Sequence, residues 1–124
     1  MPTLLINGEW RSARGGQTID VINPCDAKPY DRIDRGTAED IDLAVRAARA
    51  AMEGAWGRLT ATERGRILVK AATLIVQNAD EIAHVEWLDT GKPLSVARAD
   101  VVAVARYFEY FGGAADKLHG EQIP

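Results

Sequence analysis

Helix signals between Thr60 and Pro93 constrain the fold of this chain more than any other stretch of its sequence. Thr60 followed three residues later by Glu63 is a capping box, in which each side chain satisfies a free backbone N–H at the start of a helix. Gly91 can take the positive φ that ends a helix, and Pro93 is suited to begin the next one. The stretch therefore predicts two consecutive helices, the second capped by Asp80.

Apolar residues recur at helical spacing in this stretch and predict which side of each helix faces inward. The expected inner side of the first helix is Ile67, Ala71, Leu74, Ile75 and Asn78. The expected inner side of the second is Ile82, Val85 and Leu88. We expect Leu74 and Ile75 to be nearly buried against an earlier helix over residues 41–52. On that interpretation, Leu74→Ala costs about 2–5 kcal/mol of stability.

The earlier helix has its own start signal, a second capping box formed by Thr37 and Asp40. Its expected inner side is Ile41, Ala44, Val45, Ala48 and Met52. Because these residues follow the 3.6-residue period up to Gly54, the sequence predicts an amphipathic helix that ends there.

A long helix is predicted after Pro93, from about Leu94 to Leu118, with a kink at Gly112-Gly113. Its expected inner stripe is Ala97, Val101, Val104, Phe108, Phe111, Ala115 and Leu118. Its other apolar side carries Val102, Tyr107 and Tyr110. A helix that is apolar on two sides needs neighbours on both.

Short strand signals precede the helices. Asn7-Gly8 predicts a tight hairpin turn because both residues tolerate positive φ. A further strand over residues 18–22 is ended by Asn23-Pro24, and a weaker strand returns over residues 30–34. The predicted class is α+β in one domain: a small β-hairpin or meander over residues 1–36, then a helical layer of about four helices over residues 37–124.

Composition excludes several classes of function. The chain has 124 residues and a net charge of −3, and its Lys and Arg residues form no basic block. A nucleic-acid partner is therefore not expected. No apolar run approaches the roughly 18 residues of a membrane span, and the N-terminus lacks the features of a signal peptide. The single cysteine fits a reducing compartment, so we expect a cytoplasmic protein without a membrane partner.

Five segments of the chain match known sequence patterns in order. The most specific spans residues 86–93, Glu-Trp-Leu-Asp-Thr-Gly-Lys-Pro, and matches the pattern E-x-L-D-[TN]-G-K-P. The others are residues 6–10, 21–24, 38–45 and 115–124. Together these segments resemble the aldehyde dehydrogenase superfamily over essentially the whole chain. It implies the N-terminal part of the cofactor-binding domain of a larger α/β enzyme with a Rossmann-like fold.

The function implied by this resemblance is NAD(P)⁺-dependent oxidation of an aldehyde to a carboxylic acid through a cysteine thioester, in a homo-oligomer. The catalytic residues, the site for NAD or NADP and the oligomerisation domain would then lie beyond Pro124. The segment alone is expected to be inactive. The alternative is a non-catalytic, truncated helical module that binds a partner with the second apolar side of its last helix.

Asp89 is the first candidate site residue. Its carboxylate faces the negative end of the helix dipole, so a compensating cation is expected beside it. Lys92 is one candidate for that cation. The resemblance implies another, a Na⁺ or K⁺ ion held by Asp89 and by the backbone carbonyls of Val21 and Ile22. Carboxylate and carbonyl oxygens suit a hard cation, and both interpretations stay open.

The resemblance also implies that Ala103 and Tyr107 face the substrate tunnel. The aromatic residues around Tyr107 suit either a cage for a quaternary ammonium group or ordinary helix packing, and packing is the commoner case. Cys25 lies in an early turn, far upstream of the family's catalytic cysteine, and is interpreted as incidental. His84 and His119 have no partners at metal-ligand spacing.

Overall fold

The computed structural model describes residues 3–123, so Pro124, the last residue of the final matching segment, lies outside the described residues. The chain divides into two compact units, one up to Arg58 and one from Leu59 onward. The elements, in order, are β1 (Leu4–Ile6), β2 (Glu9–Arg11), β3 (Thr18–Asn23), β4 (Lys28–Asp34), α1 (Ala38–Glu53), α2 (Ala55–Arg58), α3 (Ala61–Gln77), α4 (Ala79–Thr90) and α5 (Leu94–Ala114). Small antiparallel hairpins followed by helices confirm the predicted α+β class.

The strands of the first unit form two separate two-stranded antiparallel sheets, β1 with β2 and β3 with β4. In the first hairpin Ile6 pairs with Glu9 across a two-residue turn. Asn7 and Gly8 form that turn with φ values of 55° and 79°. Positive φ at both central residues matches the right-handed twist of the flanking strands. The predicted tight turn is confirmed.

The turn between β3 and β4 contains a strained residue. Ala27 has a φ of 58°, in the left-handed region that costs a residue with a Cβ roughly 1–2 kcal/mol. Its N–H donates to the carbonyl of Asn23 at 2.8 Å, which closes the turn around this conformation. The turn therefore places an alanine where a glycine would fit without strain.

We expect Ala27→Gly to raise the free energy of unfolding by about 0.5–1 kcal/mol. The relief of strain is partly offset because glycine gains freedom in the unfolded chain. Urea unfolding followed by circular dichroism measures the change. Ala48→Gly, in the middle of α1, is the matched control and should lose about 1 kcal/mol instead. A loss of stability in both variants would contradict the strained turn.

Both predicted capping boxes are confirmed. At the start of α1, the Thr37 N–H donates to Asp40 at 2.9 Å and the Asp40 N–H donates to the Thr37 hydroxyl at 3.3 Å. At the start of α3, the Thr60 N–H donates to Glu63 at 2.8 Å and the Glu63 N–H donates to the Thr60 hydroxyl at 3.2 Å. The bond from the Thr60 N–H also lowers the pKa of Glu63.

Two acidic side chains hold the N-terminal loop of the first unit. Asp34 accepts the Thr3 N–H at 2.8 Å and the Ala13 N–H at 3.3 Å. Asp40, which is only 2% exposed, accepts the N–H of Arg14, the residue after Ala13, at 3.2 Å. Hydrogen bonds from Thr3 and Thr37, respectively, lower the pKa of the two carboxyl groups below the ordinary 3.8.

These bonds predict that the first unit loses stability in acid. Because the pKa of each carboxyl group is lower in the folded state, its contribution is present above about pH 4 and is lost as the pH falls through the folded-state pKa. We expect the free energy of unfolding to fall steeply below about pH 4. The double variant Asp34→Asn with Asp40→Asn should flatten this slope. Glu53→Gln, at the exposed end of α1, is the control, and a slope unchanged by the double variant would contradict the assignment.

The predicted cap at Asp80 is wrong. Helix α3 extends to Gln77, Asn78 separates it from α4, and α4 begins at Ala79 without a side-chain cap. Asp80 therefore lies inside the first turn, where its carboxylate pairs with the Arg98 guanidinium of α5 at 3.0 Å. The end of α4 is as predicted, since Gly91 follows Thr90 with a φ of 71°.

The predicted inner faces of α1, α3 and α4 are largely wrong, whereas Ala97 and Val101 of the predicted α5 stripe are buried. Leu74 is 49% exposed and Ile67 is 47% exposed, while Ile75 packs against the buried cluster. On α1 the predicted inner residues Ile41 and Met52 are 60% and 64% exposed. The buried residues of the helices in the second unit are smaller: Gly65, Ala72, Ala83, Ala97, Val101, Ala105 and Gly112.

Small residues explain this difference between prediction and structure. Among the described residues no large side chain is fully buried, and the second unit centres on Ala83, Ala97 and Val101. Small side chains allow helix backbones to approach closely, so α3, α4 and α5 bury small residues while most of their bulky apolar side chains stay exposed. The 3.6-residue period is the same for both faces and does not distinguish them.

The α5 helix continues through Gly112 and Gly113 and ends at Ala114, four residues before the predicted end at Leu118.

Gly65 of α3 and Gly112 of α5 lie where the backbones of the two helices approach closely. A Cβ added to Gly65 of α3 would lie 2.3 Å from the Gly112 carbonyl oxygen, a distance that real Cβ atoms do not reach. The absence of a side chain at Gly65 and at Gly112 thus allows direct backbone contact between α3 and α5.

Candidate functional site

An open groove of about 560 Å³ lies on the outer face of α5. Its lining residues are Ala103, Arg106, Tyr107, Tyr110 and Phe111. Counted from Ala103, they stand at offsets of 3, 4, 7 and 8, which places them on one side of a helix. The α5 groove is thus built by one face of one regular helix.

The rings of the α5 groove are exposed and held at defined angles. Tyr107 and Tyr110 are 64% and 70% exposed, and Phe111 is 59% exposed. The Tyr110 and Phe111 rings meet edge to face, with centroids 5.2 Å apart and planes at 85°. This is a preferred geometry for an aromatic pair, and it leaves the ring faces accessible.

Arg106 gives the α5 groove its charge. One of its terminal nitrogens donates to Glu109 at 2.9 Å, and the Arg106 side chain is 78% exposed. A guanidinium has five N–H donors, so this single bond leaves others available. The groove therefore combines aromatic faces with the remaining N–H donors of a guanidinium whose charge is paired with that of Glu109.

The structure brings both predicted tunnel residues, Ala103 and Tyr107, to the α5 groove. The neighbouring aromatic residues were also predicted from the sequence, although mainly as packing. Arg106 was not predicted; it stands three positions from Ala103 and could have been found by following the helical period along the outer side of α5.

Asp89 lies in the last turn of α4, on an exposed part of the second unit. Val21 is half-buried and Ile22 is 45% exposed, and both belong to β3 of the first unit. These three residues come from different units of the chain. Their convergence on one cation stays a prediction.

Lys92 joins α4 to α5. Its ammonium group donates to Glu86 at 2.5 Å and to Asp100 at 2.9 Å. The bond to Glu86, followed by that to Asp100, raises the pKa of Lys92 above its ordinary value. Lys92, one of the two proposed partners of Asp89, thus forms ion pairs with Glu86 and Asp100.

None of the remaining sequence candidates is among the lining residues of the α5 groove. Cys25 is exposed in the turn after β3, where its N–H donates to the Asn23 side chain at 2.9 Å. The ring of His84 lies 5.3 Å from that of Trp87. Residues 3–123 contain no group of three or more His, Cys, Asp or Glu side chains placed to hold a metal ion.

The described residues do not fit a dinucleotide. A Rossmann-type site needs a glycine-rich loop that leads from a strand into a helix, so that backbone N–H groups approach the pyrophosphate. The one such connection here runs from β4 to α1 and contains a single glycine, Gly36. None of the helices found in residues 3–123 is long and apolar enough to cross a membrane.

Comparison with known proteins identifies a single family. The model of the aldehyde dehydrogenase family matches residues 10–124. An aldehyde dehydrogenase of Aspergillus niger is 42% identical over 120 residues, which is 97% of this chain and 24% of the relative. The chain thus spans about a quarter of the length of the curated relatives it matches.

Two solved structures extend the comparison. A Burkholderia cenocepacia protein assigned as an aldehyde dehydrogenase is 51% identical with a TM-score of 0.92, covering 97% of this chain and 25% of its own. Betaine aldehyde dehydrogenase from Staphylococcus aureus, solved with NAD⁺, is 39% identical with a TM-score of 0.90, covering 97% and 24%. These similarities give no support to the alternative of a non-catalytic interaction module.

Proposed function

Because the chain belongs to the aldehyde dehydrogenase family, we propose that it is the N-terminal part of an NAD(P)⁺-dependent enzyme that oxidises an aldehyde to a carboxylic acid. The observation that carries this proposal is the family match over residues 10–124, with relatives of 40% identity and more along nearly the whole chain. The NAD⁺ bound to the Staphylococcus aureus relative supports NAD as the cofactor. The preference between NAD and NADP belongs to the complete protein.

In this proposal the chain's own residues supply structure and one wall of the substrate tunnel. Ala103 and Tyr107 form that wall, supported by their place in the α5 groove. The nucleophilic cysteine and the dinucleotide site lie in the part of the enzyme beyond Pro124. In the complete enzyme, NAD or NADP would supply the hydride acceptor for the oxidation. The residues described here bind and orient the aldehyde and exclude water from one side of it.

A cation site forms the second element of the proposal. Asp89 and the carbonyl groups of Val21 and Ile22 would hold Na⁺ or K⁺, and the oxygen donor set suits such a hard ion. Soaking crystals of the protein with Tl⁺ and measuring anomalous scattering tests this site. A peak within about 3 Å of the Asp89 carboxylate is expected. Anomalous density elsewhere only would contradict the site.

The complete enzyme is proposed to be a cytoplasmic homo-oligomer. Bulky apolar side chains are exposed on both units, among them Ile41, Met52, Val85 and Val102. Exposed apolar surface of this kind drives association when it is not covered. Light scattering of the complete protein across a range of concentrations measures its mass, and a strictly monomeric protein would contradict the oligomer.

The proposed activity predicts a direct assay. The protein expressed from its complete reading frame should produce reduced nicotinamide from NAD⁺ or NADP⁺ when an aldehyde is supplied, and the aldehyde should be recovered as its acid. Absorbance of the reduced cofactor follows the reaction, and the corresponding alcohols are the control substrates. A folded complete protein that binds the cofactor but turns over no aldehyde in a broad panel would contradict the proposal.

A further inference from the structure

We propose that Asn7-Gly8 is a site of self-modification, at which the asparagine loses ammonia and becomes isoaspartate, and that the closed β1–β2 hairpin restrains this reaction. Opening of the hairpin starts the reaction, and the product keeps the hairpin open. The inference is independent of the proposed dehydrogenase activity, since the reaction needs only water and the residues of one turn.

The chemistry joins two neighbouring groups and then consumes water. The Gly8 nitrogen forms a bond to the side-chain carbonyl carbon of Asn7, and ammonia leaves with the proton of the former N–H. Water then opens the resulting five-membered imide at either carbonyl. Opening at the main-chain carbonyl leads the backbone through the Asn7 side chain and gives isoaspartate, whereas opening at the other carbonyl gives aspartate. Either product adds one negative charge to the net charge of −3.

The position of Asn7 makes it the reactive one of the three asparagines in the chain. Asn7 and Gly8 are both exposed, and glycine has no Cβ to hinder the attacking nitrogen. Asn23 precedes Pro24, whose nitrogen carries no proton to lose. Asn78 precedes an alanine, whose Cβ shields the nitrogen, and its carboxamide donates to a backbone carbonyl of α3 at 2.8 Å. Isoaspartate is therefore expected at Asn7.

The closed turn restrains the reaction through its backbone geometry. The φ values of 55° at Asn7 and 79° at Gly8, in a two-residue loop, define a type I′ turn. Such a turn has a ψ of about +30° at its first central residue. For an L-residue this ψ places the next nitrogen nearly opposite to Cβ, whereas closure of the five-membered ring needs these two atoms eclipsed. The reaction therefore waits for rotation about the Cα–C bond of Asn7, which opens the hairpin.

The product prevents the hairpin from closing again. Isoaspartate adds one carbon atom to the backbone of the two-residue loop, and this loop sets the pairing of Ile6 with Glu9. Each strand has only three residues, so few other contacts hold the register. We expect Ile6, which is 5% exposed in the closed hairpin, to become accessible. Modification thus converts a transient opening into a lasting one.

Mass spectrometry of the 124-residue chain, incubated at mildly alkaline pH, tests the proposal. Peptide mapping locates the change, and labelling by an isoaspartate-specific methyltransferase separates isoaspartate from aspartate. A synthetic peptide of residues 4–11 in the same buffer gives the unrestrained rate, because an isolated hairpin is marginally stable at best. The folded chain should react at least about tenfold more slowly than the peptide, because an open minor state is populated at roughly 10% or less. Asn7→Gln should abolish the product.

A variant that weakens the hairpin should accelerate the reaction. Trp10 is 64% exposed and pairs with Leu5 across the strands, so Trp10→Ala removes this pair without removing a buried residue. The rate at Asn7 should rise by up to about fivefold, the effect of losing a cross-strand pair. Met52→Ala, which truncates an equally exposed side chain of α1, is the matched control and should leave the rate unchanged.

Hydrogen exchange of the purified isoaspartate form tests the lasting opening, since the amides of β1 and β2 should lose their protection. Four results would overturn the inference: isoaspartate that forms as fast at Asn78 as at Asn7, equal rates in the folded chain and the peptide, a rate that Trp10→Ala does not raise, or an isoaspartate form whose hairpin amides stay protected. None of these outcomes depends on dehydrogenase activity.

Discussion

Gly65→Ala is expected to lower the free energy of unfolding of the second unit by about 3 kcal/mol or more. The new methyl group would lie 2.3 Å from the Gly112 carbonyl oxygen, so α3 and α5 must separate. Overpacking of this kind costs about 1–3 kcal/mol and occasionally more, and rigid backbone on both sides of the contact places this site at the upper end. Against a total stability of roughly 5–15 kcal/mol, such a loss is severe.

Gly113→Ala is the matched control for this prediction. It changes the neighbouring glycine of α5, where an added Cβ meets nothing within 4 Å. Because alanine favours a helix over glycine, Gly113→Ala should gain about 0.5–1 kcal/mol. Urea unfolding of the two variants gives both values. If both variants were as stable as the unchanged protein, α3 and α5 would not be in direct backbone contact.

The second large effect is expected at the α4–α5 contact. Ala97 is completely buried beside Ala83 and Val101, so Ala97→Leu adds bulk to a fully buried contact. We expect a loss of about 1–3 kcal/mol or more. Ala99→Leu, on an exposed part of the same helix, should be nearly neutral.

Leu74→Ala completes this comparison and reverses the expectation drawn from the sequence. Since Leu74 is half exposed, its truncation should cost about 1 kcal/mol rather than 2–5 kcal/mol. Thermal unfolding ranks the three variants. A loss at Leu74 that exceeds the loss at Ala97 would mean that the bulky face of α3 forms the core.

Local signals were the part of this fold that the sequence could predict. The capping boxes at Thr37 and Thr60, the turn at Asn7-Gly8 and the helix end at Gly91 all depend on residues within four positions of one another. Each signal satisfies a backbone group whose location is fixed by the local chain. The prediction therefore needed no knowledge of tertiary packing.

Most of the inner-face residues could not be predicted, because they depend on contacts between distant segments. The α5 helix carries a small face with Ala97 and Ala105, and bulky apolar residues on its other sides, including Tyr110. Hydrophobicity favours burial of the bulky residues, yet close approach of the helices requires the small ones. The contact between Gly65 and Gly112 joins residues 47 positions apart, and nothing in either local segment indicates the other.

The candidate site was predictable in part, for the same reason. Ala103 and Tyr107 were available from the family resemblance, and their neighbours follow from the helical period. Arg106 was overlooked because a single charged residue on a long helix usually lies on a solvated face. Arg106 belongs to the candidate site only because Tyr110 and Phe111, one turn further along α5, line the same groove.

The most direct test of the central claim is the activity of residues 1–124 alone. If this chain supplies a tunnel wall and no catalytic centre, the pure 124-residue protein should produce no reduced nicotinamide from NAD⁺ or NADP⁺ with any aldehyde in the panel, at concentrations where the complete protein reacts readily. Cys25→Ser should change nothing. Aldehyde-dependent turnover by the 124-residue protein that is abolished by Cys25→Ser would contradict this account, because it would make the exposed turn cysteine the nucleophile.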